Sequence, residues 1–251
     1  MLSGKNILVV GATGKIGDNL VENILANNGT VLGTSRNIKT IEKLNHKFNN
    51  LGSSSKFFEL DLSDEDSIKI FLNKIKDMPI HGYVHNAYAV MDYVSVGNVP
   101  WSYWSKNILI SLGSFEKISS KLVSSISISN IESIVTISSI YATRAPQFDI
   151  YPKEMNPNPI YYGATKAALL NASLYLAALW GKDGVRVNSV SPGGVASDQK
   201  LSFLKNYQKT VPLKRMVLKN EVSNAVIFLL SSKSSGVNGI NFTVDAGKTA
   251  W

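Results

Sequence analysis

The chain has 251 residues, of which 44% are hydrophobic, and a formal net charge of +8. This length and apolar content suffice for one large buried core, so a single domain over residues 1–251 is expected. The absence of cysteine excludes structural disulfides, thiol nucleophiles and cysteine-ligated zinc, and the sequence predicts no metal site. No apolar run approaches the roughly 20 residues that span a bilayer, and no secretory segment precedes the first strand, so a cytoplasmic protein without a membrane partner is expected.

The positive charge is spread over the whole length and forms no dense block of lysines or arginines. Aromatic residues are not interleaved with basic ones, as they are on surfaces that stack nucleic-acid bases, so no nucleic-acid partner is predicted. A basic surface of this kind suits simple solvation, and it also suits a phosphorylated or otherwise anionic small molecule.

Short apolar segments alternate with longer amphipathic segments along the whole chain. The strand-like segments are residues 6–10, 30–34, 56–60, 81–85, 133–138, 185–190 and 240–244. The helix-like segments are residues 15–27, 38–50, 64–77, 101–129, 160–181 and 219–232. This alternation predicts an α/β fold in which a doubly wound, Rossmann-type parallel sheet of seven strands carries helices on both faces. The ligand crevice of such a sheet lies at the carboxyl ends of its strands.

The first strand ends in a glycine-rich turn, Gly11–Gly17, that opens the first helix. Glycines let the backbone approach a pyrophosphate here, and the helix amino terminus supplies free N–H groups and the positive end of its dipole. The turn therefore predicts a dinucleotide site, with a tight strand–helix turn that binds no ligand as the alternative. The turn residues expected to form this site are Gly11, Thr13, Gly14, Lys15, Ile16 and Gly17.

The second strand ends in Ser35 and Arg36, without the carboxylate that NAD-selective proteins place there. A guanidinium grips phosphate in a bidentate fork, so NADP(H) is predicted over NAD(H). The alternative is that Arg36 is an exposed loop cation. Asp61 and Leu62, after the third strand, are included in the predicted cofactor site. Asp61 is a candidate acceptor for the adenine amino group, and equally a candidate cap for the helix that begins near Ser63.

Tyr162 and Lys166 are four residues apart in a predicted helix and therefore project from one face of it. An ammonium held there favours the phenolate and draws the tyrosine pKa, about 10 in model peptides, toward the neutral range. This spacing is common by itself. Together with a nucleotide-binding turn, it predicts a proton relay beside a bound cofactor.

Taken in order, five motifs resemble those of the short-chain dehydrogenase/reductase family in its compact, single-domain form. The motifs are Gly11–Gly17, Asn86-Ala87, Ser138-Ser139, Tyr162–Lys166 and Ser191–Gly193. The resemblance covers essentially the whole chain. It implies an enzyme that transfers hydride between a nicotinamide and a carbonyl or alcohol group.

The resemblance also implies a role for each matching residue. Tyr162 is expected to be the acid–base group, Lys166 to lower its pKa and hold the nicotinamide ribose, and Ser139 to hydrogen-bond the reacting oxygen. Donors placed around that oxygen stabilise the charge that it gains in the transition state. The residues expected to complete the cofactor site are Asn86, Ala87, Pro192, Gly193 and Val195.

The sequence departs from the family pattern at several positions. His85-Asn86-Ala87-Tyr88 stands where the family usually has Asn-Asn-Ala-Gly, so a bulky tyrosine lies near the cofactor. The glycine spacing of Gly11–Gly17 resembles that of extended family members. Ser111 occupies the place of the helix asparagine that normally completes the catalytic tetrad, and it is the expected substitute. Asn107, one helical turn earlier, is the alternative, acting through a water.

Ser139 and Tyr162 are 23 positions apart, more than is usual in the family. The proline-rich insert between them, residues 144–160, resembles a subgroup associated with bacterial surface-sugar and flagellin-glycan modification, as does the aromatic end at Trp251. A small-molecule substrate that is sugar-like or anionic is therefore expected, and a packed loop without substrate contact is the alternative. The candidates to stack on a sugar or nucleotide are Phe148, Tyr151 and Tyr161.

The leading hypothesis is an NADP(H)-dependent oxidoreductase that acts on a sugar or nucleotide-sugar in surface-glycan biosynthesis. A 3-oxoacyl-thioester reductase is the runner-up, against which the long polar insert argues. A non-catalytic NADP-sensing or scaffold protein is the third, against which the retention of Ser139, Tyr162 and Lys166 argues. The resemblance further implies a homo-oligomer, a dimer or a tetramer, formed through helices 101–129 and 160–181 and the last strand.

Overall fold

The computed structural model describes residues 1–50, 53–89 and 91–250; Trp251, which the sequence analysis singled out, lies outside them. Within the described residues, seven strands form one sheet in which all neighbours are parallel. The strands are β1 (Asn6–Val10), β2 (Thr30–Ser35), β3 (Lys56–Glu59), β4 (Gly82–His85), β5 (Ser133–Ile137), β6 (Arg186–Pro192) and β7 (Asn241–Val244). Their spatial order is β3-β2-β1-β4-β5-β6-β7, which confirms the predicted doubly wound sheet.

Helices cover both faces of this sheet. They are α1 (Gly17–Ala26), α2 (Ile38–Asn50), α3 (Glu65–Ile75), α4 (Trp101–Ile108), α5 (Ser114–Ser124), α6 (Ile126–Ser129), α7 (Ile160–Trp180), α8 (Leu201–Lys209) and α9 (Lys219–Leu230). Side chains of α3, α5 and α7 form the core on one face, and those of α1, α2 and α9 form the core on the other. Among the described residues, no helix has the length and apolar character needed to cross a membrane.

The central strands are apolar on both sides because both sides are covered by helices. Successive side chains of a strand point to opposite faces of the sheet. In β4, Tyr83 therefore belongs to the core on the α7 side and Val84 to the core on the α1 side. The same alternation places His85, the last residue of β4, on the α7 side with Tyr83.

The single helix predicted over residues 101–129 is divided in the structure. A π-helical turn, Leu109–Gly113, separates α4 from α5, and Ser125 separates α5 from α6. The Ser114 hydroxyl donates to the Ile110 carbonyl over 2.7 Å, and such bonds from a serine to the preceding turn bend helices. The apolar periodicity from which the helix was predicted carries no information about these competing bonds.

A third apolar cluster joins the proline-rich insert to α8. Its buried residues are Ile150, Phe203, Tyr207, Val211 and Met216. Within the insert, Phe148–Ile150 forms a 3₁₀ turn. The Asn206 side chain of α8 donates to the Ile150 carbonyl over 3.2 Å. The insert is thus anchored on α8, and the two together form one wall of the site described next.

Candidate active site

A cavity of about 680 Å³ lies at the carboxyl ends of the strands, around the boundary between β1 and β4. The strand order reverses at this boundary, and doubly wound sheets bind their ligands at such a switch point. Every predicted site residue lines the cavity except Gly17 and Ser111. The lining residues among those predicted are Gly11, Thr13, Gly14, Lys15, Ile16, Ser35, Arg36, Asp61, Leu62, Asn86, Ala87, Ser139, Tyr162, Lys166, Pro192, Gly193 and Val195.

The glycine-rich turn is fixed by contacts that a larger residue would disrupt. The Asn86 side-chain amide donates to the Gly11 carbonyl over 2.8 Å. A Cβ on Gly17 would collide with the same carbonyl oxygen, so glycine is required where α1 begins. The N-cap residue of α1, Ile16, makes no side-chain capping bond. The Asp18 N–H donates to the Gly14 carbonyl and the Asn19 N–H to the Asp18 carboxylate, so within the described residues it is the Gly17 N–H of the first turn that remains for a ligand. These residues fit the diphosphate of a dinucleotide.

The end of β2 presents hydroxyl groups and a cation to the cavity. The Ser35 hydroxyl lies 3.2 Å from the Thr13 hydroxyl, which joins the end of β2 to the glycine-rich turn. Arg36 follows with an exposed side chain that lines the same cavity. A phosphate bound near these residues would meet hydroxyl donors and a guanidinium.

Asp61 faces the cavity after β3 and is held by the next turn. The Ser63 hydroxyl and N–H both donate to the Asp61 carboxylate, over 2.6 and 2.9 Å, and these bonds lower the pKa of Asp61. The cap of α3 is Asp64, whose carboxylate accepts from the Asp66 N–H. The interpretation of Asp61 as the cap of this helix is therefore wrong.

The segment after β6 closes the other side of the crevice. The Gly193 N–H donates to the Val244 carbonyl over 2.9 Å, which keeps this backbone in line with β7. Lys15 reaches from the glycine-rich turn to the Ser197 hydroxyl and the Asp198 carboxylate, at 3.3 and 3.4 Å. These exposed contacts link the glycine-rich turn to the segment that follows β6, across the crevice.

Ser139, Tyr162 and Lys166 line the same cavity as the glycine-rich turn. Burial raises the pKa of the Tyr162 phenol, a hydrogen bond with Ser139 opposes this, and nearby Tyr141 raises it further. Lys166 is not among the groups that shift the pKa of Tyr162 here, and its expected effect on that pKa stays a prediction. The Lys166 ammonium instead donates to the Ile137 carbonyl over 2.7 Å, and burial lowers the pKa of the lysine itself to about 8.

Tyr88 contacts both members of the Tyr162–Lys166 pair. Its ring meets that of Tyr162 edge to face, with centroids 4.9 Å apart. Lys166 Nζ lies 5.5 Å from the Tyr88 ring centroid, close enough for a cation–π interaction. From the sequence, Tyr88 was predicted only to lie near the cofactor in place of a glycine, and its contacts with Tyr162 and Lys166 were not predicted. An aromatic residue directly after Asn86-Ala87 was the available signal for this contact.

A buried polar cluster lies near Lys166, on the α7 side of the sheet. Four buried side-chain atoms in the described residues have no hydrogen-bond partner: His85 Nε2, Asn107 Oδ1, Ser111 Oγ and Thr165 Oγ1. Burial and the nearby Lys166 ammonium lower the pKa of His85 to about 3, while the Ser111 and Ile110 carbonyls oppose the shift. Ser111 lies in the π-helical turn beside His85 and does not line the cavity, unlike the other predicted catalytic residues.

Beyond Tyr162 the described cavity wall is neutral and rich in hydrogen-bonding groups. Its hydroxyl and amide side chains are Tyr88, Tyr141, Tyr151, Asn156, Asn158, Gln199 and Tyr207. The charged lining residues are Lys15, Arg36, Asp61 and Lys166. Three of these four belong to the glycine-rich turn and to the ends of β2 and β3, and Lys166 is buried.

Only one of the three predicted stacking residues reaches the cavity. Tyr151 lines it, whereas Phe148 is exposed to solvent and Tyr161 is fully buried. The Tyr161 ring packs edge to face on Tyr103, and its hydroxyl donates to the Asp92 carbonyl over 3.0 Å. The predictions that Phe148 and Tyr161 stack on the substrate are therefore wrong, because neither ring lines the cavity.

A family model described as enoyl-(acyl carrier protein) reductase matches residues 11–249, from the glycine-rich turn to the segment after β7. The chain belongs to the short-chain dehydrogenase/reductase family. This short-chain dehydrogenase/reductase is an oxidoreductase by family. The match confirms the resemblance drawn from the five ordered motifs.

Two curated relatives of this short-chain dehydrogenase/reductase match over nearly their whole length. A post-translational flagellin modification protein A from Campylobacter coli is 28% identical over 253 residues, covering 98% of this chain and 99% of that protein. A 3-oxoacyl-(acyl-carrier-protein) reductase from Buchnera aphidicola subsp. Schizaphis graminum is 29% identical over 252 residues, covering 97% and 96%. The predicted resemblance to flagellin-modification proteins is confirmed.

A solved structure with the same fold is a short chain dehydrogenase from Leptospira borgpetersenii with bound NAD+. It superposes with a TM-score of 0.87 at 24% identity, covering 99% of this chain and 94% of that chain. At this identity the likeness shows the shared fold of the two short-chain dehydrogenases/reductases.

Proposed function

We propose that this protein is a cytoplasmic NADP(H)-dependent oxidoreductase that interconverts a carbonyl and a hydroxyl group on an uncharged, sugar-like substrate. The observation that carries the proposal is the placement of Ser139, Tyr162 and Lys166 in one cavity with the glycine-rich turn. A cavity that only stored a dinucleotide would not need a phenol and a serine hydroxyl at its far end.

The chain's own residues divide the work between binding and proton transfer. The Gly11–Gly17 turn, Arg36, Asn86 and Lys166 would hold the dinucleotide, and the nicotinamide, when bound, supplies or accepts the hydride. Ser139 and the Tyr162 phenol donate hydrogen bonds to the substrate oxygen. That oxygen gains negative charge as a carbonyl is reduced, so both donors stabilise the transition state more than the ground state.

The Tyr162 phenol holds its proton at neutral pH. A phenol whose pKa lies above its ordinary value of about 10 is protonated at neutral pH and can donate its proton to a nascent alkoxide. The buried Lys166 ammonium, with its pKa near 8, contributes positive charge close to this transfer.

Arg36 supports the choice of NADP(H) over NAD(H). It is exposed at the end of β2, and the neighbouring hydroxyls of Ser35 and Thr13 add neutral donors. A 2′-phosphate at this place would gain charge-assisted hydrogen bonds. Asp61 is the acidic residue in the described lining of the cavity, and its carboxylate already accepts hydrogen bonds from the Ser63 hydroxyl and N–H.

The neutral wall beyond Tyr162 supports a polyhydroxylated substrate. Phenols and amides offer both donors and acceptors, which suit the hydroxyl groups of a sugar. Of the two substrate classes expected from the sequence, the sugar-like one is therefore proposed over the anionic one. The flagellin-modification relative supports a role in surface-glycan biosynthesis.

A second candidate is reduction of a 3-oxoacyl thioester, which the Buchnera relative supports. Met155, Phe203 and Met216 give the cavity an apolar patch that an acyl chain would contact. Against it, the insert also contributes the amide side chains of Asn156 and Asn158 to the cavity lining.

The proposed function is tested with Tyr162→Phe and, as the matched control, Tyr161→Phe. Each variant is mixed with NADPH and a panel of keto-sugars and 3-oxoacyl thioesters, and the NADPH absorbance is followed. Tyr162→Phe should lower turnover at least about 100-fold while NADPH binding stays within about twofold, since general acid catalysis contributes about 10²–10⁴-fold. Tyr161→Phe should turn over normally, because its hydroxyl bonds only to the Asp92 carbonyl outside the cavity.

Turnover of Tyr162→Phe at the wild-type rate would rule out Tyr162 as the acid. Reduction of thioesters alone would favour the second candidate. Tight NADPH binding by the wild type without turnover of any ketone would favour an NADP-sensing protein. The homo-oligomer expected from the family is proposed here as well and is tested separately below.

A further inference from the structure

Two tyrosines that are ten residues apart in the sequence meet in the lining of the cavity. The Tyr141 and Tyr151 hydroxyls are 2.8 Å apart, within hydrogen-bond distance, and both residues line the cavity. Tyr141 follows β5 two positions after Ser139, whereas Tyr151 belongs to the proline-rich insert. The insert therefore completes a hydroxyl pair that the core of the fold alone would leave half formed.

Tyr141 is held close to the reacting group by a glycine. A Cβ on Gly163, the residue after Tyr162, would lie 2.9 Å from the Tyr141 carbonyl oxygen, so glycine lets α7 approach this backbone. The Tyr141 N–H also donates to the Ser139 hydroxyl over 3.2 Å. The Tyr141 and Tyr162 rings are consequently 6.4 Å apart, edge to face.

Tyr151 is held from the other side by α8. Its ring packs on Phe203 with centroids 5.2 Å apart, and the Asn206 side chain fixes the neighbouring carbonyl of Ile150. Both partners of the pair are thus positioned by packing and hydrogen bonds. A pre-positioned pair loses little conformational entropy when a ligand binds to it.

The pair can donate and accept hydrogen bonds, and it has no role as an acid or base at neutral pH. Burial raises the pKa of Tyr141 and of Tyr151, so both phenols keep their protons. Whichever hydroxyl donates in the bond between them, the other keeps its own O–H free, and both oxygens retain a lone pair. The free O–H and a lone pair match a ligand hydroxyl, which also donates once and accepts.

We propose that the Tyr141–Tyr151 pair selects substrates with a hydroxyl group on the carbon next to the reacting carbonyl. The inference rests on the proposed function, because it assumes that the reacting oxygen lies at Tyr162. Tyr141 packs edge to face on the Tyr162 ring and bonds to the Tyr151 hydroxyl, and all three tyrosines line the same cavity. The substrate class is therefore an α-hydroxy ketone, or in the oxidative direction a vicinal diol.

The test compares two ketones of nearly equal size, 2-hydroxycyclohexanone and 2-methylcyclohexanone, with NADPH as reductant. The wild type should prefer the hydroxy ketone by about tenfold or more in kcat/KM, and Tyr151→Phe should remove most of that preference. Tyr175→Phe is the matched control: it removes a hydroxyl from an exposed position on α7, outside the cavity, and should keep the preference.

Binding gives a second measurement that does not depend on turnover. Cyclohexane-1,2-diol and 2-methylcyclohexanol are titrated into the NADPH-loaded protein, in which an alcohol cannot react, and the shift in melting temperature is recorded. The diol should stabilise the wild type and Tyr162→Phe more than the methyl analogue does, and this difference should vanish in Tyr151→Phe. Equal effects of the two ligands on the wild type, or an unchanged preference in Tyr151→Phe, would overturn the inference.

These outcomes are separable from a failure of the proposed function. If Tyr162→Phe turned over normally while Tyr151→Phe lost the preference for the hydroxy ketone, the role of the hydroxyl pair would be supported. The assignment of Tyr162 as the acid would be contradicted. If Tyr162→Phe were inactive and Tyr151→Phe lowered kcat/KM for both ketones by the same factor, the assignment of Tyr162 as the acid would be supported. The pair would then be a structural element of the insert.

Discussion

Lys166 is bonded to the end of β5 through both its side chain and its backbone. Its Nζ donates to the Ile137 carbonyl over 2.7 Å, and its own carbonyl accepts from the Ser138 hydroxyl over 3.0 Å. These two bonds register α7 against the strand that leads into Ser139. The position of the ammonium relative to Ser139 is therefore set by the fold.

The burial of Lys166 predicts how stability depends on pH. Because burial lowers its pKa from 10.5 to about 8, the unfolded chain binds this proton more tightly than the folded chain does. Unfolding therefore takes up a proton between pH 8 and 10.5, and the free energy of unfolding rises with pH across that window. Below pH 8 the full cost of the buried charge is present.

Lys166→Met should remove this pH dependence. Between pH 8 and 10.5 the wild type should gain up to about 3 kcal/mol relative to the variant, as measured by urea unfolding at a series of pH values. The exposed Lys233→Met is the control and should follow the wild-type curve. A difference between wild type and Lys166→Met that is constant with pH would show that Lys166 titrates equally in both states.

Gly17→Ala should damage the cofactor crevice, because the new methyl group would collide with the Gly11 carbonyl. Overpacking of this kind costs about 1–3 kcal/mol. The melting temperature should fall, and NADPH binding should weaken further as the turn shifts. Gly236→Ala is the control, since a Cβ there meets nothing within 4 Å, and it should match the wild type in both measurements. Unchanged NADPH affinity in Gly17→Ala would separate the turn from cofactor binding.

Arg36→Ala should weaken NADPH binding and leave NADH binding nearly unchanged. Loss of charge-assisted bonds to a 2′-phosphate costs about 1.5–3 kcal/mol, or roughly 10–100-fold in Kd. Fluorescence titration with each cofactor at fixed salt measures the ratio. Lys39→Ala removes a neighbouring exposed cation from α2 and should change the ratio little. Equal losses for both cofactors would remove the argument for a 2′-phosphate site.

The sheet and the cofactor half of the site could be predicted because their signals are local. Strands covered on both faces are largely continuous apolar runs, so β1 could be predicted from its four consecutive aliphatic residues. The glycine-rich turn could be predicted from the spacing of Gly11, Gly14 and Gly17. The same holds for Tyr162 and Lys166, four residues apart on one helix, where the period of the helix fixes their common face.

The substrate half could not be predicted because its contacts join distant segments. The hydroxyl pair needs the insert to dock on α8, and nothing local to Tyr151 specifies that contact. The pKa of Tyr162 depends on how deeply α7 buries the phenol and on where the Lys166 ammonium points. A sequence match gives the residue types, but it does not give the burial of the phenol or the orientation of the Lys166 side chain.

The outward face of α7 predicts self-association. This helix buries one side against the sheet, yet Leu174 and Leu179 remain 46% and 45% exposed on its surface. A helix that is apolar on most of its circumference is normally buried on most of it. We expect a second copy of the chain to cover this face, as in the homo-oligomer proposed from the family. The apolar groove between α5 and α7 continues the same surface.

Leu179→Glu should therefore dissociate the oligomer, since a carboxylate buried at the interface without a partner is costly. Sedimentation velocity should give a mass above 27.4 kDa for the wild type and the monomer mass for the variant at the same concentration. Ile70→Glu places the same charge on an exposed apolar position of α3 and should leave the oligomer intact. If the wild type sediments as a monomer, or Leu179→Glu keeps the wild-type mass, another surface explains the exposed leucines.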